Sequence, residues 1–193
     1  MSIKNFIIHL RWHYQVGILS AGYLLPLLYH SPVSWSTYLL QFLNVHLLLY
    51  GGATAYNSYW DMDQGPIGGL KHPPAVPSWS HKAALALMGA GLVWALDIGW
   101  MYASIYACSL ILFWGYSAPQ TRWKGDPHFS IIVIALSTGT NSFLLGSLAL
   151  GVEMISGLDL LTALAVALIL VSLYPCSQIY QSDEDKVRGD ETF

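Results

Sequence analysis

Six apolar runs, each closed by a polar stretch, constrain this chain more than anything else in it. By residue number they cover roughly 14–29, 38–56, 83–96, 101–116, 129–150 and 158–180. Runs of this kind suit helices that cross a bilayer, where each backbone must satisfy its own hydrogen bonds. Composition agrees, with 54% of the 193 residues hydrophobic and only 10% charged, where soluble domains carry about a quarter charged. The expected fold is an all-α, polytopic transmembrane helix bundle of about six spans, a single domain over residues 1–193. Runs three and four are short against a hydrocarbon core of about 30 Å. Ahead of the first run, residues 2–15 mix apolar side chains with Lys4, His9, Arg11 and His13. That pattern predicts a helix lying at the interface. Pro26 marks a kink in the first span.

Charge supports the layout independently. The eight basic residues are Lys4, Arg11, Lys71, Lys82, Arg122, Lys124, Lys186 and Arg188. With six spans, all eight fall on the side of the N-terminus, and the three opposite loops hold none. Lys and Arg concentrate in cytoplasmic loops, so both termini are expected in the cytoplasm of a bacterial plasma (inner) membrane. Cys108 and Cys176 lie in apolar runs and read as buried or lipid-facing thiols. No basic cluster interleaved with aromatics points to nucleic acid.

The polar stretch after run two, from Tyr56 to Pro74, reads YNSYWDMDQGPIGGLKHPP. It holds Asn57, Asp61 and Asp63, then a Gly–Pro turn, then Lys71, and the whole segment 57–81 is expected as a long polar loop. A second stretch answers it: Tyr180, Gln181, Ser182, Asp185 and Gly189 repeat the spacing of Tyr56, Asn57, Ser58, Asp61 and Gly65, offset by 181 − 57 = 124. On span two, His46, Tyr50, Ala53, Asn57 and Asp61 share one helical stripe; on span six, Tyr174, Ser177, Gln181 and Asp185 do the same. Amide and carboxylate oxygens at two facing helix ends suit Mg²⁺, which takes a few protein oxygens together with substrate phosphates. Solvated helix ends are the plainer explanation of either stretch alone. Between them, Tyr116–Pro127 contributes Arg122 and Lys124 on the same side. Carboxylates to hold metal, and Arg and Lys to hold phosphate oxygens, are what an Mg²⁺–diphosphate ligand needs.

Three separated motifs carry a resemblance: Asn57-x-x-x-Asp61 with the following GPIGGLKHPP, Tyr116-Ser117-x-Pro119 with Lys124, and the closing YQSDEDKVRGDETF. In these the chain resembles the UbiA superfamily of membrane prenyltransferases over all six spans. The resemblance implies an all-helical fold and Mg²⁺-dependent transfer of a prenyl group from an isoprenoid diphosphate to an aromatic or other lipophilic acceptor. It implies Asn57, Asp61 and Asp185 as metal ligands, with Asp63 a substitute where the family has a further Asp and this chain has Gly65. Gln181 stands where an Asp is common in the second motif. Asp61, Asp185 and Lys124 are the expected catalytic residues. Asn57, Arg122, Lys71, Tyr50, His46, Asn141 and Gln181 are the expected substrate contacts. Family members run on through further membrane helices, so a second copy or another chain is expected to complete the bundle.

Other readings compete. His46 and Tyr50 can line a prenyl channel or pack as core, and Asn141, in the polar run 137–142, can face a cavity or join helices. His9 and His13 stand four apart, a spacing that also allows metal. A divalent-cation carrier or a non-catalytic subunit would use the same carboxylates, although carriers place such groups near the midplane. A haem bundle needs paired intramembrane His, and only His46 is suitably placed.

Overall fold

The computed structural model describes residues 2–62 and 65–178, with side chains through 175, and every regular element in that range is a helix. A short α1 (Ile3–His9) precedes a first rod made of α2 (Trp12–Ile18), α3 (Ser20–Leu24) and a 3₁₀ turn, Leu25–Leu28. The second rod runs α4 (Trp35–Leu43), a π-helical segment Asn44–Tyr50, and α5 (Gly51–Asp61). Next come α6 (Ser80–Ala95) and α7 (Trp100–Ser117). A fifth rod joins α8 (Pro127–Ile134), a π-helical segment Ala135–Thr140 and α9 (Asn141–Ala149), and α10 (Gly157–Gln178) follows.

Local chemistry sets these ends. Asp126 caps α8 by accepting from the backbone N–H groups of His128 at 2.8 Å and Phe129 at 3.0 Å, with Pro127 pre-set for the first turn. At α10, Ser156 and Asp159 exchange bonds: the Ser156 N–H donates to Asp159 Oδ2 at 2.9 Å, and the Asp159 N–H donates to Ser156 Oγ at 3.2 Å. Pro26 does more than bend its rod. It lacks the N–H that would continue the ladder, and the chain tightens there into the 3₁₀ turn.

One of the sequence expectations needs revision. Residues 57–61 are not loop: α5 continues through Asp61 and stops only where Met62 turns left-handed, at φ 49°, with its N–H on the Ser58 carbonyl at 3.1 Å. Among the described residues, two helices are both long and apolar enough to cross a membrane: Pro127–Ala149 with 23 residues and Gly157–Pro175 with 19. At 1.5 Å per residue they reach ~34 Å and ~28 Å. The 16 residues of α6 reach only ~24 Å.

Small residues let the rods approach closely. Gly91 on α6 faces Asn44, whose amide donates to the Gly91 carbonyl at 3.0 Å and to Gln41 Oε1 at 2.8 Å. Tyr106 on α7 donates to Asn44 Oδ1 at 3.2 Å, so one buried asparagine joins three rods. A Cβ at Gly91 would lie 2.6 Å from that same oxygen. Tyr23 and Tyr38 each donate a hydroxyl to the other's carbonyl, at 3.4 and 3.0 Å. Leu39, Leu43, Val93, Ile111, Leu164 and Leu168 are exposed on the outward faces.

Loops alternate between two ends of the bundle. At one end, Val33 N–H meets the Leu150 carbonyl at 3.0 Å and His30 meets Asp159 at 3.1 Å. The six basic residues within the described range gather at the other end, around the finish of α5 and α7 and the start of α2, α6 and α8.

Candidate diphosphate and metal site

The last turn of α5 carries the site. Asn57 and Asp61 are four residues apart, hence stacked on one face, and Asn57 Nδ2 donates to Asp61 Oδ2 at 2.7 Å. Two chain segments remote in sequence close around this pair. From the end of α7, Ser117 Oγ donates to Asn57 Oδ1 at 2.8 Å. From the loop beyond it, Lys124 Nζ donates to Asp61 Oδ1, and Arg122 Nη1 stands 3.9 Å from the same oxygen. The Asp61 side chain is only 4% exposed, Lys124 9% and Arg122 29%. The structure brings Asn57, Asp61, Arg122 and Lys124 together.

The loop is shaped to bring those cations in. Arg122 sits in the left-handed region at φ 40°, which costs a non-glycine residue about 1–2 kcal/mol. Its N–H bonds the Ala118 carbonyl at 2.7 Å, and a 3₁₀ turn at Trp123–Gly125 then lifts Lys124 over Asp61. Ser130 Oγ, from α8, donates to the Lys124 carbonyl at 3.1 Å and fixes that turn. The ring of Trp123 lies against Gly115, where any side chain would displace it.

Two further contacts border the site. Tyr116 and Tyr174 bring their hydroxyls to 2.8 Å, which ties the end of α10 to the end of α7 beside Ser117. Arg11, also left-handed at φ 48°, donates to Ser58 Oγ at 2.7 Å and packs against Gly68 of the 65–79 loop. Arg11 and Ser117 were not among the expected site residues. Ser117 had one legible signal: Pro119 follows two residues later, so Ser117 had to be the last helical residue at the mouth.

The remaining candidates lie elsewhere. His46, in the π-helical segment, is fully buried; its Nδ1 bonds the Phe42 carbonyl at 2.8 Å, and its ring stacks on Phe42 at 4.0 Å with Tyr23 and Tyr50 edge-on. Tyr50 is buried beside it, against Phe113 at 5.7 Å. Asn141 donates to Ser109 Oγ at 2.9 Å and so joins α9 to α7. Lys71 is exposed in the 65–79 loop. His9 Nε2 meets the Pro74 carbonyl at 2.7 Å. Asp63, Gln181 and Asp185 lie outside the described residues.

The donor set fits Mg²⁺ in kind: an amide and a carboxylate, both hard oxygen ligands, one helical turn apart. Among the described residues no three His, Cys, Asp or Glu side chains gather as a metal cage. Further oxygens would therefore come from a substrate or from residues outside that range. Comparison of the chain with family models, curated proteins and solved structures returns no match.

Proposed function

We propose that the chain is a polytopic intramembrane prenyltransferase that binds an isoprenoid diphosphate at Asp61 and transfers its prenyl group to an aromatic or other lipophilic acceptor. The observation that carries this reading is the convergence of Asn57, Asp61, Arg122 and Lys124, from two remote segments, at one end of the bundle. Carboxylate, amide and two cations within reach of one another are the complement of a metal-bound diphosphate. The Tyr116–Tyr174 contact supports the pairing of the two acidic stretches, because the second one continues from the end of α10. Exposed leucines and isoleucines around the rods support a bilayer as surrounding solvent. With six rods alternating in direction, the site faces the basic, cytoplasmic side.

In this reading Asn57 and Asp61 would hold Mg²⁺ together with Asp185, and with Asp63 and Gln181 nearby in sequence. When bound, the ion supplies neutralisation of charge on the leaving diphosphate. Lys124 and Arg122 hold the remaining phosphate oxygens as negative charge grows there. The allylic carbon–oxygen bond breaks with its electron pair leaving on the diphosphate, the acceptor forms a new bond to that carbon, and a proton is lost from the acceptor to water or base. The apolar tail belongs below Asp61, in the aromatic interior that contains Tyr50 and His46, where π faces stabilise an allylic cation.

The test is direct. Purified chain in detergent is incubated with Mg²⁺, labelled prenyl diphosphates of several lengths and a panel of lipophilic aromatic acceptors. Acceptor-dependent release of diphosphate, abolished by chelation, is expected; no diphosphate binding at any chain length would end this reading.

A further inference from the structure

Asp61 is more than ready for a cation; it already has one. Its Oδ1 takes Lys124 with Arg122 close by, and its Oδ2 takes the Asn57 amide, with the Asp61 side chain 4% exposed. Asn57 is turned so that its NH₂ faces the carboxylate and its oxygen faces Ser117. Lys124 cannot simply swing into solvent, since it is buried and its backbone is held by Ser130.

We propose that the Asp61–Lys124 ion pair is an exchange latch: it makes capture of a divalent cation and capture of a diphosphate mutually dependent. This rests on the diphosphate reading above. The reason is charge. A cation approaching Asp61 alone meets the Lys124 ammonium and the Arg122 guanidinium at contact range, in a site too dry to screen them. A diphosphate approaching Lys124 alone meets the Asp61 carboxylate in the same way. When both arrive, Asp61 turns from Lys124 to the cation, and Lys124 and Arg122 turn to phosphate oxygens, so every charge keeps an opposite neighbour. Asn57 can follow by turning its amide oxygen inward, with Ser117 released or re-bonded. Such coupling must be reciprocal: each ligand tightens the other by the same factor, about 5–150-fold for couplings of ordinary size. The device also prevents a bare metal site from standing open at the membrane surface.

The experiment uses the full chain in detergent, with Mn²⁺ followed by electron paramagnetic resonance and two probes, methylenediphosphonate and a farnesyl thiodiphosphate. The first carries the headgroup chemistry alone and the second adds a lipid tail. Each probe is titrated with and without metal, and metal with and without each probe, in the wild type, Lys124→Met and Asp61→Asn. Association of Mn²⁺ with the probe in solution is common to all three proteins and cancels in the comparison. Expected results are weak Mn²⁺ binding by the wild type alone, at least about tenfold tighter in Lys124→Met, and a coupling factor that shrinks in that variant. Asp61→Asn should bind metal-free methylenediphosphonate more tightly than the wild type does. If Lys124→Met does not fold, the Asp61→Asn and wild-type titrations decide by themselves. Equal coupling for both probes assigns the latch to the headgroup, and coupling confined to the farnesyl probe overturns it. Normal probe capture with wild-type Mn²⁺ affinity unchanged by Lys124→Met also overturns the latch and leaves the prenyltransferase reading intact. Absence of binding under every combination overturns both.

Discussion

Asp61 and Asp159 are both nearly inaccessible, at 4% and 1% exposure, yet they are held in opposite ways. Asp159, in the first turn of α10, is answered chiefly by its own helix start. Its carboxylate takes the N–H and hydroxyl of Ser156 at 2.9 and 2.6 Å, with a further contact at 3.1 Å from the half-buried His30 after the first rod. A helix start needs an acceptor there, and the positive end of the helix favours a negative charge. Asp61 closes the last turn of α5, where a carboxylate is unfavourable to the helix dipole, and it is answered by cations from a loop more than sixty residues away in sequence, Lys124 at |i−j| = 63. One aspartate is explained by the helix it caps. The other works against its own helix and needs imported charge, which fits the diphosphate site proposed above.

That contrast can be broken by substitution. The largest effect is expected for Asp61→Asn, which should abolish Mg²⁺-dependent diphosphate binding, a loss of about 100-fold or more if the contact of Asp61 with the bound cation is worth ~3 kcal/mol. Isothermal titration with a prenyl diphosphate checks it, and binding within a few-fold of wild type would place Asp61 in the structural class with Asp159. For Asp159→Ala the prediction is reversed in kind: about 1–3 kcal/mol of stability lost through the cap and its orphaned partners, with diphosphate affinity untouched. Thermal unfolding and titration on the same preparation separate the two; a large affinity change would mean that the two ends of the bundle communicate. Ser117→Ala removes the donor that holds the Asn57 oxygen away from Asp61 and should tighten metal-dependent diphosphate binding by roughly fivefold, about 1 kcal/mol. A return to wild-type affinity in Ser117→Thr is expected, and weaker binding in the alanine variant would show that Ser117 orients Asn57 for the ligand. Smallest of all, His30→Gln should cost at most about 1 kcal/mol of stability, since the His30 side chain is 30% exposed; a loss comparable to Asp159→Ala would show that His30, not Ser156, is the main partner.

Much of the rod layout was legible because apolar runs and polar breaks are one-dimensional signals. Pro26, Asp126–Pro127 and Ser156–Asp159 mark their boundaries in the chain itself. The stripe through Asn57 and Asp61 was also legible, since helical spacing alone puts them together. The loop expected at 57–61 failed because a run of polar residues was read as irregular, whereas the helix continues to the left-handed Met62, which has no composition signal. Ser117 and Arg11 were missed for a different reason: each acts through a partner about 50 residues or more away, at |i−j| of 60 and 47, and no local pattern encodes such a pairing. Asn44 is similar, a polar residue in an apolar run whose three-rod contact depends on Gly91 leaving room.

The first helix completes its contacts late in synthesis. Asn5 donates to the Ala75 carbonyl at 3.0 Å, His9 reaches the Pro74 carbonyl at 2.7 Å, and Phe6 packs on Trp79 at 5.1 Å. None of those partners exists until the chain has been made past the second rod. During synthesis the segment 3–9 must therefore wait without those partners, and its Ile3 and Ile7 are still exposed in the finished fold. The loop that leaves Asp61 is then fastened by a segment made before it, as a flap is buttoned to the edge of a coat. A bulky fusion at the N-terminus would be felt first in that loop, and only afterwards in the bundle.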